Sequence, residues 1–406
     1  MYLYIFLIVF LIKEIWDLIL TIWNKNYSTS PNAKIPEVFK DIITEEDFEK
    51  SKNYLKDRTN LVVIDHIFDI LISLIFIIWG FPYIENIVSS ITKSFILQGL
   101  LFFAIWGLIN LIISLPFNIY STFVIEEKYG FNTTTPKIFI TDIIKSLIIS
   151  IVIGTPILSI LLWIIEKDLY WWWKFALGII IFEIFVSWLY PMVIAPLFNK
   201  FYPLEDESLK EKIISLLQKA NFKISNIFVM DASKRTKKVN AYLTGIGSSR
   251  RVVLFDNILN YSHDEILAVL AHELGHHSKK HIPKLLILSS LFYLAYVYFV
   301  YLLYKSPLIT LTFPVNKSYT LIVYSFIFIS SIFYFITPII NSISRRFEYS
   351  ADKFSAILLN SSEPLISALK RLVKENLSNL NPLPLYRTWY YSHPSPEERI
   401  LNLKGE

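Results

Sequence analysis

The strongest constraint on this chain is a series of apolar runs, each long enough to cross a hydrocarbon layer about 30 Å thick. They fall at roughly 2–23, 61–88, 95–120, 138–164, 172–197, 282–304 and 318–341. Backbone at that depth has no water to bond, so each run is expected to be a helix. The chain is therefore expected to be an all-α polytopic membrane protein with about seven transmembrane helices. Hydrophobic residues make up 54% and charged residues 18% of the 406, more apolar than a soluble domain requires. Lys13, Glu14 and Asp17 interrupt the first run and no small-residue cleavage site follows, so it is read as a retained helix, not a signal peptide.

One large polar insert, about 198–281, separates the fifth and sixth runs, and a second polar segment closes the chain from 342 to 406. This divides the chain into a membrane region (1–201, about five helices), an insert (202–281), two further helices (282–341) and a C-terminal segment (342–406). In the insert, Asn226–Met230 and Arg251–Phe255 are β-rich runs separated by Gly245, Gly247 and polar turn residues, predicting a small sheet. Ser262 and Glu265 have the spacing of a capping box. Ile266, Leu267, Val269 and Leu270 then carry a helix onward, expected to run into the sixth span with a kink near Pro283. Lys and Arg crowd the insert (Lys200, Lys223, Arg250 and Lys280 among them) and the 24–60 loop, while the alternate loops are poor in them. The positive-inside rule then puts insert, first loop and C-terminus in the cytoplasm and the N-terminus opposite. The net charge of +5 is spread along the chain and gives no reason to expect nucleic acid.

The chemistry is carried by His272-Glu273-Leu274-Gly275-His276-His277. Two imidazoles four residues apart share a helix face and can meet at one tetrahedral Zn²⁺. Glu273 follows the first closely enough to take a proton from a water activated there. His277 lies about 100° further round the helix and is not expected to join the metal. The chain has no cysteine, so a third ligand must be His, Asp or Glu. Glu348 and Asp352, four apart just beyond the last span, are the candidates. One can ligate while the other bonds a ligand imidazole, and spacing leaves open which does which.

The sequence resembles the type I CAAX prenyl proteases, zinc metalloendopeptidases that trim prenylated proteins in the membrane. The likeness is carried by Phe123–Asn132, Ile194–Phe201, Pro203-Leu204-Glu205-Asp206, Val229-Met230-Asp231, Ser233-Lys234-Arg235, Asn240-Ala241-Tyr242, the metal motif, Glu348 with Asp352, and Ser392-His393-Pro394. It implies one Zn²⁺ per chain, held by His272, His276 and Glu348, with Glu273 as general base and Asp352 behind a ligand histidine. It further implies that His393 stabilises the oxyanion and that Asn240, Ala241 and Tyr242 form an edge strand pairing with the substrate backbone. The implied architecture is a helical barrel around an aqueous chamber, capped by a small α+β zincin-like domain. Charges inside the spans, such as Asp65, Asp69, Asp142, Lys145 and Glu183, would line that chamber or pair locally.

The implied partners are the bilayer and a membrane-associated peptide or protein, with prenylation of its C-terminus left open. The implied location is the plasma membrane of a prokaryote or the endoplasmic reticulum of a eukaryote. Two alternatives stand beside this reading: a shorter, heat-shock-type quality-control metalloprotease, and a zinc-binding membrane transporter. A transporter would place its ligands within the spans, where His66 is the one histidine.

Overall fold

The computed structural model describes residues 1–222, 224, 226–244 and 251–405. Lys223, Gly245, Gly247 and Arg250, named above, lie outside the described residues. The chain is mostly helical, with α1 (Tyr2–Ser28), α2 (Glu45–Ile91), α3 (Phe95–Glu126), α4 (Pro136–Lys167), α5 (Trp172–Phe198), α6 (Glu207–Lys219) and α7 (His263–Ser278). It continues through α8 (His281–Tyr304), α9 (Ser318–Leu359), α10 (Glu363–Glu375), α11 (Pro384–Tyr390) and α12 (Pro396–Lys404). Among the described residues six helices, α2 to α5 with α8 and α9, are long and apolar enough to cross a membrane. The helix α1, 27 residues long, packs against α2 and α9 but carries Lys13, Glu14 and Asp17. Side chains such as Ile140, Ile144, Ile148, Ile181 and Trp188 are exposed, an apolar surface of the kind lipid covers.

Local signals set the helix starts. The Thr44 hydroxyl and Asp47 form a capping box at α2, Ser94 and Thr135 cap α3 and α4, and Ser262 with Glu265 forms the expected capping box at α7. Both α2, with 47 residues, and α9, with 42, exceed a hydrocarbon layer; at 1.5 Å per residue they are roughly 60–70 Å long. The polar ends of both helices therefore stand clear of the membrane, and the far end of α9 carries Glu348 and Asp352.

The helix α7 does not run on into α8. The chain breaks at Lys280, whose φ is +58°. Pro283 sits in the first turn of α8, where its missing N–H leaves no helical bond unmade, so no kink develops there.

The insert builds a four-stranded sheet, β1 (Phe201–Pro203), β2 (Asn226–Met230), β3 (Ala241–Thr244) and β4 (Arg251–Phe255), in the order β1-β2-β4-β3. The two β-rich runs pair in parallel, Ile227 opposite Val252, and β3 adds antiparallel at the edge with Ala241 opposite Leu254. Val252, Leu254, Ile213, Leu270 and Leu274 form the core under this sheet, and Phe354, Leu358 and Leu372 close it. The C-terminal segment thus completes the hydrophobic core of the insert.

Ion pairs join this unit to the helices: Arg235 to Asp142 at 2.8 Å, Lys238 to Glu126 at 3.1 Å, Lys370 to Asp41 at 2.5 Å and Lys374 to Asp47 at 3.0 Å. First loop, insert and C-terminal segment consequently meet at one end of the helices. Deeper charges are partnered locally: Glu14 by Lys13 at 2.9 Å and His66 at 2.8 Å, Glu183 by Ser289 at 3.2 Å, and Lys145 by the Leu197 carbonyl at 2.7 Å. Asp69 and Asp142 also line a cavity of about 1470 Å³ between α3 and α4, whose other walls include Ser114, Ser146, Leu111 and Ile143.

Candidate active site

The site lies where α7 crosses α9. One face of α7 buries Ile266, Leu270 and Leu274 against the sheet, which leaves His272 and His276 on the face toward α9. The two helices approach unusually closely because position 275 has no side chain. A Cβ built on Gly275 would lie 2.9 Å from the Ala351 Cα and 3.1 Å from its carbonyl oxygen. The Ser355 hydroxyl, fully buried, donates to the Ala268 carbonyl at 2.9 Å and ties the same pair of helices. Replacing Gly275 by alanine should therefore push α9 away, costing ~1–3 kcal/mol as overpacked contacts do and weakening metal binding. Melting temperature and chelator competition would check this, with Gly107→Ala, which meets nothing within 4 Å, as the control.

His272, His276 and Glu348 offer ligand atoms that all lie within 4.8 Å of one another. Nε2 of His272 is 3.2 Å from Nε2 of His276, and the Glu348 oxygens are 3.3 Å from each. Nδ1 of His272 lies 2.8 Å from Oδ1 of Asp352, which has no exposed surface. Asp352 is acceptor-only when ionised, so Nδ1 carries the proton and Nε2 presents a lone pair. That lone pair faces Glu348 Oε2, a buried atom that accepts no hydrogen bond. Lone pairs converging on an orphaned carboxylate oxygen repel one another unless a cation lies between them, so the residues fit a metal ion. Burial alone would disfavour charge on His272, but the Asp352 and Glu348 carboxylates beside it outweigh burial and push its pKa up to about 9, so a proton takes the place on Nε2 when no other cation does. A group of atoms that draws protons this strongly is one built to hold positive charge.

Arg399, on α12, clasps Asp352 with two bonds, Nε to Oδ2 at 2.9 Å and Nη2 to Oδ1 at 2.5 Å. Oδ1 thus accepts from both Arg399 and His272, which holds the imidazole in one orientation. Sequence reasoning missed Arg399; its bond partner is 47 residues away and no local spacing joins them. It also missed His281 and the packing role of Gly275.

Glu273 follows His272 on α7, and burial raises its carboxyl from its ordinary value, the direction that suits a base required to pick up a proton. His393 reaches the cluster from the C-terminal segment, with Nε2 3.2 Å from Glu348 Oε1, and its ring is 64% exposed. Asn240, Ala241 and Tyr242 run into the edge strand β3, which lies against α7; Asn240 accepts from the Phe255 N–H at 3.1 Å through its carbonyl. His277 turns away and packs its ring against Phe222, 5.2 Å between centroids. The candidate metal ligands and base, His393 and the edge strand are therefore gathered at one place.

Two family models match the chain. Residues 24–200 match the CAAX prenyl protease N-terminal region with five membrane helices, and residues 203–406 match peptidase family M48. The sequence is 36% identical to CAAX prenyl protease 1 of Saccharomyces cerevisiae, over 93% of this chain and 90% of that one. It is 31% identical to the CAAX prenyl protease 1 homolog of Homo sapiens, over 91% of this chain and 88% of that one. The crystal structure of S. mikatae Ste24p superposes with a TM-score of 0.92 at 33% identity, covering 99% of each chain.

Proposed function

This chain belongs to the CAAX prenyl protease family of M48 metallopeptidases, and from that premise we propose a residue-level mechanism and a substrate for it. It is a multi-pass membrane protein and a metallopeptidase. In our reading one Zn²⁺ per chain is held by His272, His276 and Glu348. The observation that carries this is the convergence of their ligand atoms within 4.8 Å, with Glu348 Oε2 left orphaned. When bound, the ion supplies Lewis acidity, polarising the scissile carbonyl and lowering the pKa of a nearby water toward ~7.

The residues of the chain do the rest. Glu273 takes the proton of the attacking water and passes it to the leaving amine. His393 donates Nε2–H to the oxygen on which negative charge develops. Asp352, clasped by Arg399, holds His272 in the tautomer that leaves Nε2 free. Asn240, Ala241 and Tyr242 align an extended substrate along the open edge of β3. The catalytic unit is residues 202–281 joined by 342–406, carried on membrane regions 1–201 and 282–341, and it faces the cytoplasm. The substrate is a membrane-associated protein or peptide whose C-terminus is prenylated. Neither the transporter nor the heat-shock-type reading is favoured, since the two family models match residues 24–200 and 203–406 of this chain and the CAAX prenyl protease 1 of Saccharomyces cerevisiae is matched over 90% of its length.

The direct test is cleavage of a prenylated CAAX peptide beside its unprenylated twin by the purified protein, with and without a chelator. We expect chelator-sensitive cleavage of the prenylated peptide at higher kcat/KM. Equal rates on both peptides would remove prenylation from the substrate definition, and chelator-insensitive cleavage would remove the metal.

The role of His393 has its own test. A group that touches only the oxyanion matters in the transition state and hardly at all before it. His393→Ala should therefore lower kcat by about 10²–10³-fold, or ~3–4 kcal/mol, with KM and metal content little changed. A merely structural tail residue would instead lower the melting temperature and leave turnover per molecule near normal.

A further inference from the structure

His281 opens α8 and is almost wholly buried, yet it belongs to none of the motifs that carry the family likeness. The left-handed turn at Lys280 reverses the chain and returns the His281 ring toward the metal helix. There it stacks on Phe347, the residue before Glu348, at 4.4 Å and 5° between planes, and stands edge-on to His276 at 5.1 Å. Nδ1 of His281 lies 3.2 Å from Nδ1 of His276.

Two ring nitrogens at that distance can share one hydrogen, and the geometry of His276 decides which of them carries it. Nε2 of His276 points at His272 Nε2 and Glu348 Oε1 and must present a lone pair to hold a metal. In a neutral imidazole the hydrogen is then on Nδ1. We infer that His281 is a positioning residue for the metal centre: its Nδ1 accepts the Nδ1–H of His276 and fixes that ligand's tautomer and orientation. The two histidine ligands are thus supported differently. His272 leans on a carboxylate, Asp352, while His276 leans on a neutral imidazole held flat against Phe347. The inference rests on the reading of His276 as a ligand.

The test compares His281→Leu with His281→Asn, side chains of nearly one shape. Asparagine can place its Oδ1 where Nδ1 stood and still accept; leucine cannot. Zinc affinity is read by competition with a chromophoric chelator, and the visible spectrum of the cobalt-loaded protein reports ligand geometry. We expect leucine to weaken zinc about 10–100-fold, the usual cost of losing an outer hydrogen bond to a ligand, and to alter the cobalt spectrum. Asparagine should restore most of both, with similar melting temperatures for the two metal-free variants. Unchanged affinity in the leucine variant, or equal loss in both, would overturn the inference, equal loss pointing to packing alone. His276→Ala is measured alongside: if it keeps full zinc affinity, the ligand assignment itself fails, a result distinct from either outcome at position 281.

Discussion

Glu273→Gln is expected to bind metal as the parent does while peptide hydrolysis falls by about 10²–10⁴-fold, the range that a positioned general base contributes. The substitution keeps the shape of the side chain and touches none of the three candidate ligands, whose atoms are supplied by positions 272, 276 and 348. It removes the one group beside the cluster whose carboxyl is raised by burial and so suited to accept a proton. Single-turnover assays on protein of measured metal content would check it. Substantial turnover in the fully metallated glutamine variant would assign the base elsewhere.

The second large effect is expected at Glu348. If the ~10–16 kcal/mol with which three or four protein ligands hold a structural zinc is shared among them, deleting one costs roughly 3–5 kcal/mol, or ~10²–10⁴-fold in affinity. Glu348→Ala should therefore lose metal, and activity with it, while folding persists. Asp352→Ala should behave differently. It touches the cluster only through His272 Nδ1, so the metal term is milder, about 10–100-fold. However, it strands the buried Arg399 guanidinium, and breaking such a pair costs about 3–5 kcal/mol of stability. Metal stoichiometry and melting temperature together separate the two carboxylates. Full stoichiometry in Glu348→Ala with loss in Asp352→Ala would exchange their roles.

Much of this was legible in the residue order because it is local. Runs of twenty apolar residues announce spanning helices, and Ser262 with Glu265 announces the start of the metal helix, where the structure has both. Two histidines four apart share a face in any helix. One reading erred where a local rule met its surroundings. Pro283 suggested a kink in one continuous helix, but the break came at Lys280, where a left-handed residue turns the chain. The strand β3 carried no strong β pattern of its own and is defined by pairing with β4. Nothing in the local sequence marks the packing role of Gly275, where α9 lies directly over the missing side chain.

The membrane-spanning helices, the capped metal helix with its two histidines on one face, and a pair of acids four apart just beyond the last apolar run could all be read from the residue order alone. These follow from the 3.6-residue period of a helix and the thickness of a bilayer, both readable over a few turns. Only the tertiary structure decided which acid faces which nitrogen. Glu348 meets Nε2 of both histidines, while Asp352 meets Nδ1 of His272 across 80 residues of chain. It also brought in Arg399, 127 residues from His272, and folded His281 back onto His276. Contacts between helices depend on how close two helix axes come and how each is rotated, and no spacing within a single helix encodes either.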